Sequence, residues 1–182
     1  MFYFDKDEIA RLLQVAYDRN RLHHLAILTT LAHGLRISEL RALSVDDLDA
    51  SGQLYVRGKK DGLEQLSPVH SSADPLYDET PLLTHAHGLR QSGKRIMFEL
   101  SRQRYDQIIR EYCSEARINP LKAHWHTLRH SSAMLVWGET QNLGAVKQAL
   151  RHKSYSTSLI YLAEADNTKS IQAISRALQP AI

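Results

Sequence analysis

The sequence is poor in cysteine, with Cys113 alone among 182 residues. An internal disulfide and a cysteine-based zinc site are therefore excluded. The N-terminal residues lack the charged-then-apolar pattern of a signal peptide. The longest apolar-rich run, at residues 25–32, is far too short to cross a bilayer. These features predict a soluble cytoplasmic protein that makes no membrane contact.

Nothing in the sequence divides the chain, since no repeat, low-complexity segment or linker interrupts it. At 182 residues and 43% hydrophobic composition, it can bury one sizeable core. The formal net charge is only +3, but Arg90 to Lys153 holds twelve Lys and Arg residues against five Asp and Glu. This basic stretch fits a polyanionic partner such as nucleic acid, and equally an ordinary solvated surface.

The hydrophobic periodicity predicts a mainly α fold with a small antiparallel β-sheet, an α+β arrangement. A β-hairpin is expected at residues 53–69, around a Lys-Asp-Gly turn, with Pro68 ending its second strand. Residues 70–95 are weakly patterned and predict a loop with a short helix. The other helices are expected at 5–18, 22–34 with Gly34 as its cap, a short one capped by Ser38, 101–118, 126–137, 142–151, from about 156, and 168–178.

Arg36 lies in the segment GLRISEL, three residues before Glu39. The planar guanidinium binds two phosphate oxygens at once and stays charged, so an arginine of this kind suits a phosphate site. Glu39 would lie on the same helical face and orient it. The alternative is an ordinary surface ion pair.

The segment HTLRH places His126, Arg129 and His130 on one helical face. The spacing of His124, His126 and His130 also resembles a set of metal ligands. An arginine within the cluster argues against this alternative, because its charge would repel a cation. His130 is expected to pack in the core.

Tyr161 follows His152 by nine residues, and a turn between two helices could bring both to one site. A phenol has a pKa near 10, so it needs neighbouring cations or a base to act as a nucleophile at neutral pH. A single tyrosine on an apolar helix is more often a core residue. Tyr155 is a competing candidate, but it falls in the turn, where the backbone is less constrained.

Taken together, these residues suit the transfer of a phosphodiester without a metal. That reaction needs a nucleophile, positive charge on the non-bridging oxygens and a proton donor for the leaving alcohol. A tyrosine, two arginines, histidines and a lysine can supply all three, so the sequence predicts a DNA strand-transfer enzyme.

The chain resembles the tyrosine recombinase, or phage integrase, family in its C-terminal catalytic domain, from about Phe4 to the C-terminus. The arginine before Ser-Glu-Leu is matched by Arg36, and the H-x-x-R-H box by residues 126–130. The L-G-H…Y box is matched by residues 150–152 and Tyr161. Each motif alone is weak, but together they occur in the family's order and register.

The family's lysine lies in the hairpin turn, where Lys59 and Lys60 are both candidates. Lys59 follows a glycine, as in the family's G-K-G form. Lys60 begins a Lys-x-Gly turn and stands eight residues before Pro68, which fits the family's register, so Lys60 is preferred.

The chain departs from the family pattern in three ways. Arg151 replaces the usual glycine before His152, which is expected to change how that helix ends. Residues 70–100 are shorter than usual, so a helix is expected to be missing there. The family's N-terminal DNA-clamping domain has no counterpart, so residues 1–182 are expected to be a single catalytic domain. The chain would then be a fragment of a larger integrase or a single-domain recombinase.

The resemblance implies a site-specific recombinase that acts through a 3′-phosphotyrosyl intermediate, with no metal or other cofactor. Tyr161 would attack the phosphate, while Arg36, Arg129 and His152 would stabilise it. Lys60 would protonate the leaving 5′-oxygen, and His126 would assist proton transfer at the nucleophile.

The implied partners are double-stranded DNA and other copies of the chain, as a homotetramer on DNA and a monomer when free. An accessory DNA-bending or directionality protein is a further expected partner, and the expected location is the bacterial nucleoid. The alternative functions are DNA relaxation of the type IB topoisomerase kind and non-catalytic DNA binding.

Overall fold

The computed structural model describes residues 2–58, 63–161 and 163. Within these residues the fold is mainly helical, with a two-stranded antiparallel sheet, as the periodicity predicts. The elements, in chain order, are α1 Lys6–Arg19, α2 Arg21–His33, α3 Ile37–Leu40, β1 Gln53–Val56, β2 Gln65–Pro68, α4 Pro81–Gln91, α5 Arg102–Glu115, α6 Trp125–Thr140 and α7 Leu143–Ala149. Short 3₁₀ turns occur at Val45–Asp47 and Pro120–Lys122.

Helix α1 begins at a capping box, in which the Asp5 side chain accepts from the Glu8 backbone and the Glu8 side chain accepts from the Asp5 backbone. Its apolar stripe is buried against α2 and α5. Helix α2 is buried on almost every side, because it also packs against α6. A helix that is apolar around most of its circumference belongs at the centre of a fold, and its C-terminal end carries the first part of the site.

Helix α2 ends at Gly34, which adopts a left-handed φ of 55° as predicted. The chain then turns at once into α3. The expectation that Ser38 caps this helix is wrong, since Arg36 is the cap residue and Ser38 lies inside the helix. The Arg36 backbone N–H instead donates to Glu39, so the glutamate that binds the arginine also shapes its turn.

The hairpin is present, with β1 and β2 paired from Gln53 opposite Pro68 to Val56 opposite Gln65. Leu54 and Val56 point into the core, and the intervening residues are half-buried. Pro68 ends the second strand as expected, because proline cannot donate to a ladder. The turn that carries Lys59 and Lys60 lies outside the described residues.

The second half of the chain follows the prediction with shifted boundaries. Ser101 caps α5, which ends at Glu115, before the expected Asn119-Pro120 break. The weakly patterned region does contain a helix, α4. Helical residues resume at 159 instead of about 156, and the predicted helix at 168–178 lies outside the described residues. Tyr161 packs in a small cluster with Ala133, Trp137, Val146 and Leu150.

In the described part of the chain, each helix is too short or too polar to span a membrane.

Candidate active site

Glu39 is the centre of the site. Its side chain is fully buried, and three arginines surround its carboxylate. Oε1 accepts from Nη1 of Arg36 at 2.9 Å, and Oε2 accepts from Nη2 of Arg151 at 2.8 Å. Nη1 of Arg129 lies 3.7 Å from Oε2. Burial alone would raise the pKa of Glu39, but the Arg36 backbone N–H and the charges of Arg151 and Arg129 hold that pKa below its usual value.

Arg129 joins the ends of two helices. From α6 its Nη1 donates to the carbonyl of Gly34 at 2.5 Å and its Nη2 to the carbonyl of Leu150 at 2.7 Å. The residue is only 1% exposed. Burial, with the charge of Arg36, lowers the pKa of Arg129 to about 10, so the guanidinium remains charged at neutral pH.

Arg36 differs from the other two arginines because 30% of its side chain is exposed. Its guanidinium is held on one side by Glu39, and its open side can face a ligand. The predicted pairing of Arg36 with Glu39 is therefore present, but it is not an ordinary surface pair, since its acidic member is buried. A carboxylate that fixes an exposed guanidinium is a suitable support for binding an anion.

The hydroxyl of Tyr161 lies 3.0 Å from Nδ1 of His130, within hydrogen-bonding distance. The tyrosine is 1% exposed, and its ring stacks beside that of His152, with centroids 6.5 Å apart and planes inclined by 15°. His152 is held in turn by the hydroxyl of Ser158 at 2.9 Å. The rings of His126 and His130 meet edge to face, with their centroids 4.5 Å apart. The H-x-x-R-H segment and the Tyr161 segment therefore meet in space.

The histidines of the site are held in the neutral form. Burial lowers the pKa of His152 to about 4, assisted by the charges of Arg129 and Arg36. Burial and the neighbouring His126 and Arg129 bring the pKa of His130 to about 4 as well. Partial desolvation and the same arginines lower the pKa of His126. At neutral pH these rings can accept a proton.

Tyr161 experiences opposing influences. Burial raises the pKa of its hydroxyl, while the charges of Arg129 and Arg36 lower it without cancelling that effect. The phenol is therefore protonated in the described state. A proton acceptor is needed before the oxygen can act as a nucleophile.

Tyr155, the competing tyrosine, lies elsewhere. It is 54% exposed, and Nζ of Lys147 lies 4.7 Å from the centroid of its ring. It does not belong to the apolar cluster around Tyr161. Its surface position gives it no described contact with the three arginines, whereas the pKa of Tyr161 responds to two of them.

Two residues of the site have roles that the sequence did not reveal. His130, expected to pack in the core, is half-buried and faces the Tyr161 hydroxyl. Arg151, noted only for its effect on the helix end, contacts Glu39 directly. The substitution of glycine by arginine was the available signal for Arg151, but only the folded chain shows where its side chain goes.

The lysine of the hairpin turn lies outside the described residues, but the chain just after that turn is described. The backbone N–H of Leu63 donates to the carbonyl of Arg151 at 3.0 Å. This bond holds the base of the turn against the end of α7. Over residues 2–58, 63–161 and 163, no three His, Cys, Asp or Glu side chains are grouped so that they could hold a metal ion.

The same fold occurs in solved recombinases. XerH site-specific recombinase bound to its difH substrate, in a pre-cleavage complex, matches with a TM-score of 0.70 and 20% identity over 94% of this chain and 53% of that one. A lambda integrase tetramer bound to a Holliday junction matches with a TM-score of 0.60 and 21% identity, over 88% and 47%. Helices packed around one short hairpin, with the arginine and tyrosine segments together, define the tyrosine recombinase catalytic-domain fold.

The chain belongs to the phage integrase family, whose family model matches residues 3–168. Tyrosine recombinase XerC of Roseiflexus castenholzii is 32% identical over 168 residues, which are 85% of this chain and 52% of that protein. Tyrosine recombinase XerA of Thermococcus kodakarensis is 27% identical over 165 residues, covering 86% and 56%. The chain thus spans about half the length of the curated relatives it matches.

Proposed function

We propose that this chain is the catalytic domain of a site-specific DNA recombinase, which cleaves and rejoins DNA through a 3′-phosphotyrosyl intermediate. The observation that carries the proposal is the position of Tyr161. Its hydroxyl bonds to a neutral histidine, and its pKa responds to Arg129 and Arg36, which Glu39 holds nearby. The proposed nucleophile thus lies near a histidine that can accept its proton and near two arginines that can stabilise a phosphate.

In the proposed reaction, the Tyr161 oxygen bonds to phosphorus while the bond from phosphorus to the 5′-oxygen breaks. Arg36 and Arg129 neutralise the non-bridging oxygens, and His152 donates a hydrogen bond to the same oxygens. Preorganised charge of this kind is usually the largest contribution to such a rate. Because the phosphotyrosyl bond replaces the broken phosphodiester, the step needs neither ATP nor a metal.

The proton of Tyr161 must pass to a base as the new bond forms. His126 was the expected acceptor, but the described hydrogen bond of the hydroxyl runs to His130. The two rings are in contact and both have lowered pKa values. We therefore propose that His130 takes the proton first, with His126 as its neighbour in the relay.

The leaving 5′-oxygen needs a proton as well, and Lys60 is proposed to supply it. The bond from Leu63 to Arg151 supports this role, since it fixes one end of the lysine turn at the site. General acid catalysis contributes roughly 10²–10⁴-fold. Lys59 remains the alternative donor.

The proposed partners follow from the chemistry and from the relatives. Double-stranded DNA is the substrate, and the stretch of twelve basic against five acidic residues suits it. The lambda integrase with this fold is a tetramer on a Holliday junction, and we propose a homotetramer on DNA and a monomer when free. An accessory DNA-bending or directionality protein, and a cytoplasmic location at the nucleoid, belong to the same proposal.

A nicked suicide substrate tests this function, because loss of the short 5′-fragment traps the covalent adduct. The wild-type chain should form the adduct in excess chelator, and Tyr161→Phe should not, although it should bind DNA as well as wild type. Tyr155→Phe is the matched control and should react normally. An adduct that requires Tyr155, or a wild-type chain that binds DNA but never forms an adduct, would contradict the proposal. The second outcome would favour non-catalytic DNA binding.

A further inference from the structure

Arg151 has an unfavourable position for its residue type. It follows the last residues of α7 with a φ of 56°, a left-handed conformation that is strained for an L-residue and unstrained for glycine. Its side chain is also 2% exposed, so a charged group has been removed from water. A residue that is unfavourable in both backbone and side chain persists when its surroundings hold it, and such positions concentrate at functional sites.

The contacts of Arg151 all lead to the site. Nη2 donates to Oε2 of Glu39 at 2.8 Å and to the carbonyl of Gly34 at 3.2 Å. Nη1 donates to the carbonyl of His33 at 2.6 Å. Its own carbonyl accepts from the backbone of Leu63. One residue thereby joins the end of α2, the turn into α3 and the segment just before β2.

These contacts fix how the Glu39 carboxylate is turned. With Oε2 occupied by Arg151 and by the Arg36 backbone N–H, Oε1 is directed to Nη1 of Arg36. Arg129 lies farther from the carboxylate, at 3.7 Å. Without Arg151, only the Arg36 backbone N–H would hold Oε2, and the carboxylate could turn toward Arg129 and away from Nη1 of Arg36.

We propose that Arg151 is a positioning residue of the strand-transfer site, which locks the Glu39 carboxylate so that it presents the exposed Arg36 to a DNA phosphate. The effect on cleavage rests on the proposed function, whereas the contacts of Arg151 with Glu39 do not depend on it. Arg151 does not bind the duplex itself, because its guanidinium already donates to the His33 and Gly34 carbonyls and to Glu39. It acts through Glu39 and should affect the rate of cleavage and not the affinity for DNA.

Arg151→Gly is the decisive variant, because glycine adopts the left-handed conformation freely and only the side chain is lost. On the suicide substrate, its single-turnover cleavage should be slower by up to about 10²-fold, as for small misplacements of catalytic groups. Its affinity for DNA should equal that of wild type. Cleavage at the wild-type rate, or a loss confined to affinity, would overturn the proposal.

Two further variants separate positioning from stability. Arg151→Lys keeps the charge and most of the stem but cannot reach His33, Gly34 and Glu39 together, so it should cleave at an intermediate rate. If the glycine variant fails to fold, this lysine variant decides, and a wild-type rate from it would refute the role of the guanidinium.

Arg90→Ala removes a guanidinium that donates to the carbonyls of Val45 and Leu48. It should lower thermal stability without slowing cleavage.

The side-chain ¹⁵Nε signal of Arg36, assigned by its absence in Arg36→Ala, gives a readout that needs no activity. In wild type, pairing with Glu39 should give a sharp signal, and Arg151→Gly should broaden or shift it. An unchanged signal would refute the positioning role even if cleavage slowed. A wild-type chain that forms no adduct would refute the proposed function instead, and the Arg36 signal would still decide the role of Arg151.

Discussion

The two halves of the site respond to burial in opposite ways. The arginine cluster, formed by Arg36, Arg129 and Arg151 around Glu39, keeps its charges. The tyrosine face, formed by His126, His130, His152 and Tyr161, is held neutral. Each half contains buried side chains, and desolvation opposes charge in each.

The difference arises from the intrinsic pKa of each residue type. Burial and neighbouring cations lower the pKa of Arg129 to about 10, which still leaves the guanidinium protonated at neutral pH. The same causes bring the pKa of His152 from 6.5 to about 4, which leaves it neutral. One environment can therefore hold fixed cations for a phosphate and uncharged rings beside a nucleophile, because the amino-acid types differ.

Removal of the Glu39 carboxylate should cause the largest loss of stability, because it leaves the arginine cluster without its anion. In Glu39→Ala, Arg129 and Arg151 would remain buried without a carboxylate, and breaking a buried pair costs about 3–5 kcal/mol. The free energy of unfolding, from urea titration followed by circular dichroism, should fall by this order. Glu115→Ala breaks the exposed pair with Arg19 and should change little. Equal small losses from both would mean that Glu39 does not hold the cluster together.

Removing the exposed cation should impair chemistry and spare the fold. Arg36→Ala leaves Glu39 paired with Arg151 and near Arg129. Adduct formation should slow by about 10²–10³-fold, as for the loss of one preorganised donor, while the thermal midpoint stays near that of wild type. Arg104→Ala, on the exposed face of α5, is the control. If the two variants react at similar rates, Arg36 is not the phosphate ligand.

Gly34, whose carbonyl accepts from both Arg129 and Arg151, should be sensitive to the addition of a single methyl group. A Cβ on Gly34 would lie 2.8 Å from the Leu150 side chain, and the residue has a φ of 55°. Gly34→Ala should therefore lose at least about 1–2 kcal/mol of unfolding free energy from the left-handed backbone alone. A Cβ on Gly88, within α4, would have open space, so Gly88→Ala should be neutral or slightly stabilising. If Gly34→Ala has the unfolding free energy of wild type, the backbone around Gly34 can relax to accept the methyl group.

The tyrosine face should make stability depend on pH. The pKa of His130 is about 4 in the folded chain, and that of an unfolded histidine is about 6.5. Between these values the unfolded chain binds more protons, so stability is lost as pH falls from about 6.5 toward 4.

His130→Gln isolates this effect, because the amide can still accept from the Tyr161 hydroxyl but does not titrate. Its thermal midpoint should fall less than that of wild type between about pH 7 and pH 5. His87→Gln, at an exposed position on α4, is the control and should leave the wild-type dependence intact. Parallel curves for wild type and His130→Gln would show that His130 is not held neutral.

Sequence patterns predicted the local features of this fold well. The Gly34 cap, the hairpin ending at Pro68 and the pairing of Arg36 with Glu39 all depend on neighbours within a few residues, and all are present. Ser38 was misassigned because the capping rule recognises its residue type, whereas the buried Glu39 already binds the Arg36 backbone. Tertiary burial overrode a local preference in that case.

Two contacts that support the site could not be predicted from residue spacing in the sequence. Arg151 reaches Glu39 across 112 residues of sequence, and Tyr161 reaches His130 across 31. Both contacts join segments that are far apart in the sequence, and periodicity does not specify how such segments pack. A histidine on a helix looks like a core residue until the side chain opposite it is known. The resemblance to a family identified the candidate site residues, and the structure shows which side chains hold the described ones in place.

The residue to which DNA becomes attached is the most direct test of whether Tyr161 is the nucleophile. After reaction with a suicide substrate and nuclease trimming, trypsin should release the peptide from residues 154–169, which contains both Tyr155 and Tyr161. Tandem mass spectrometry locates the nucleotide within that peptide. In the wild-type chain, we expect a 3′-phosphonucleotide on Tyr161. A nucleotide on Tyr155, or on any residue outside this peptide, would contradict it.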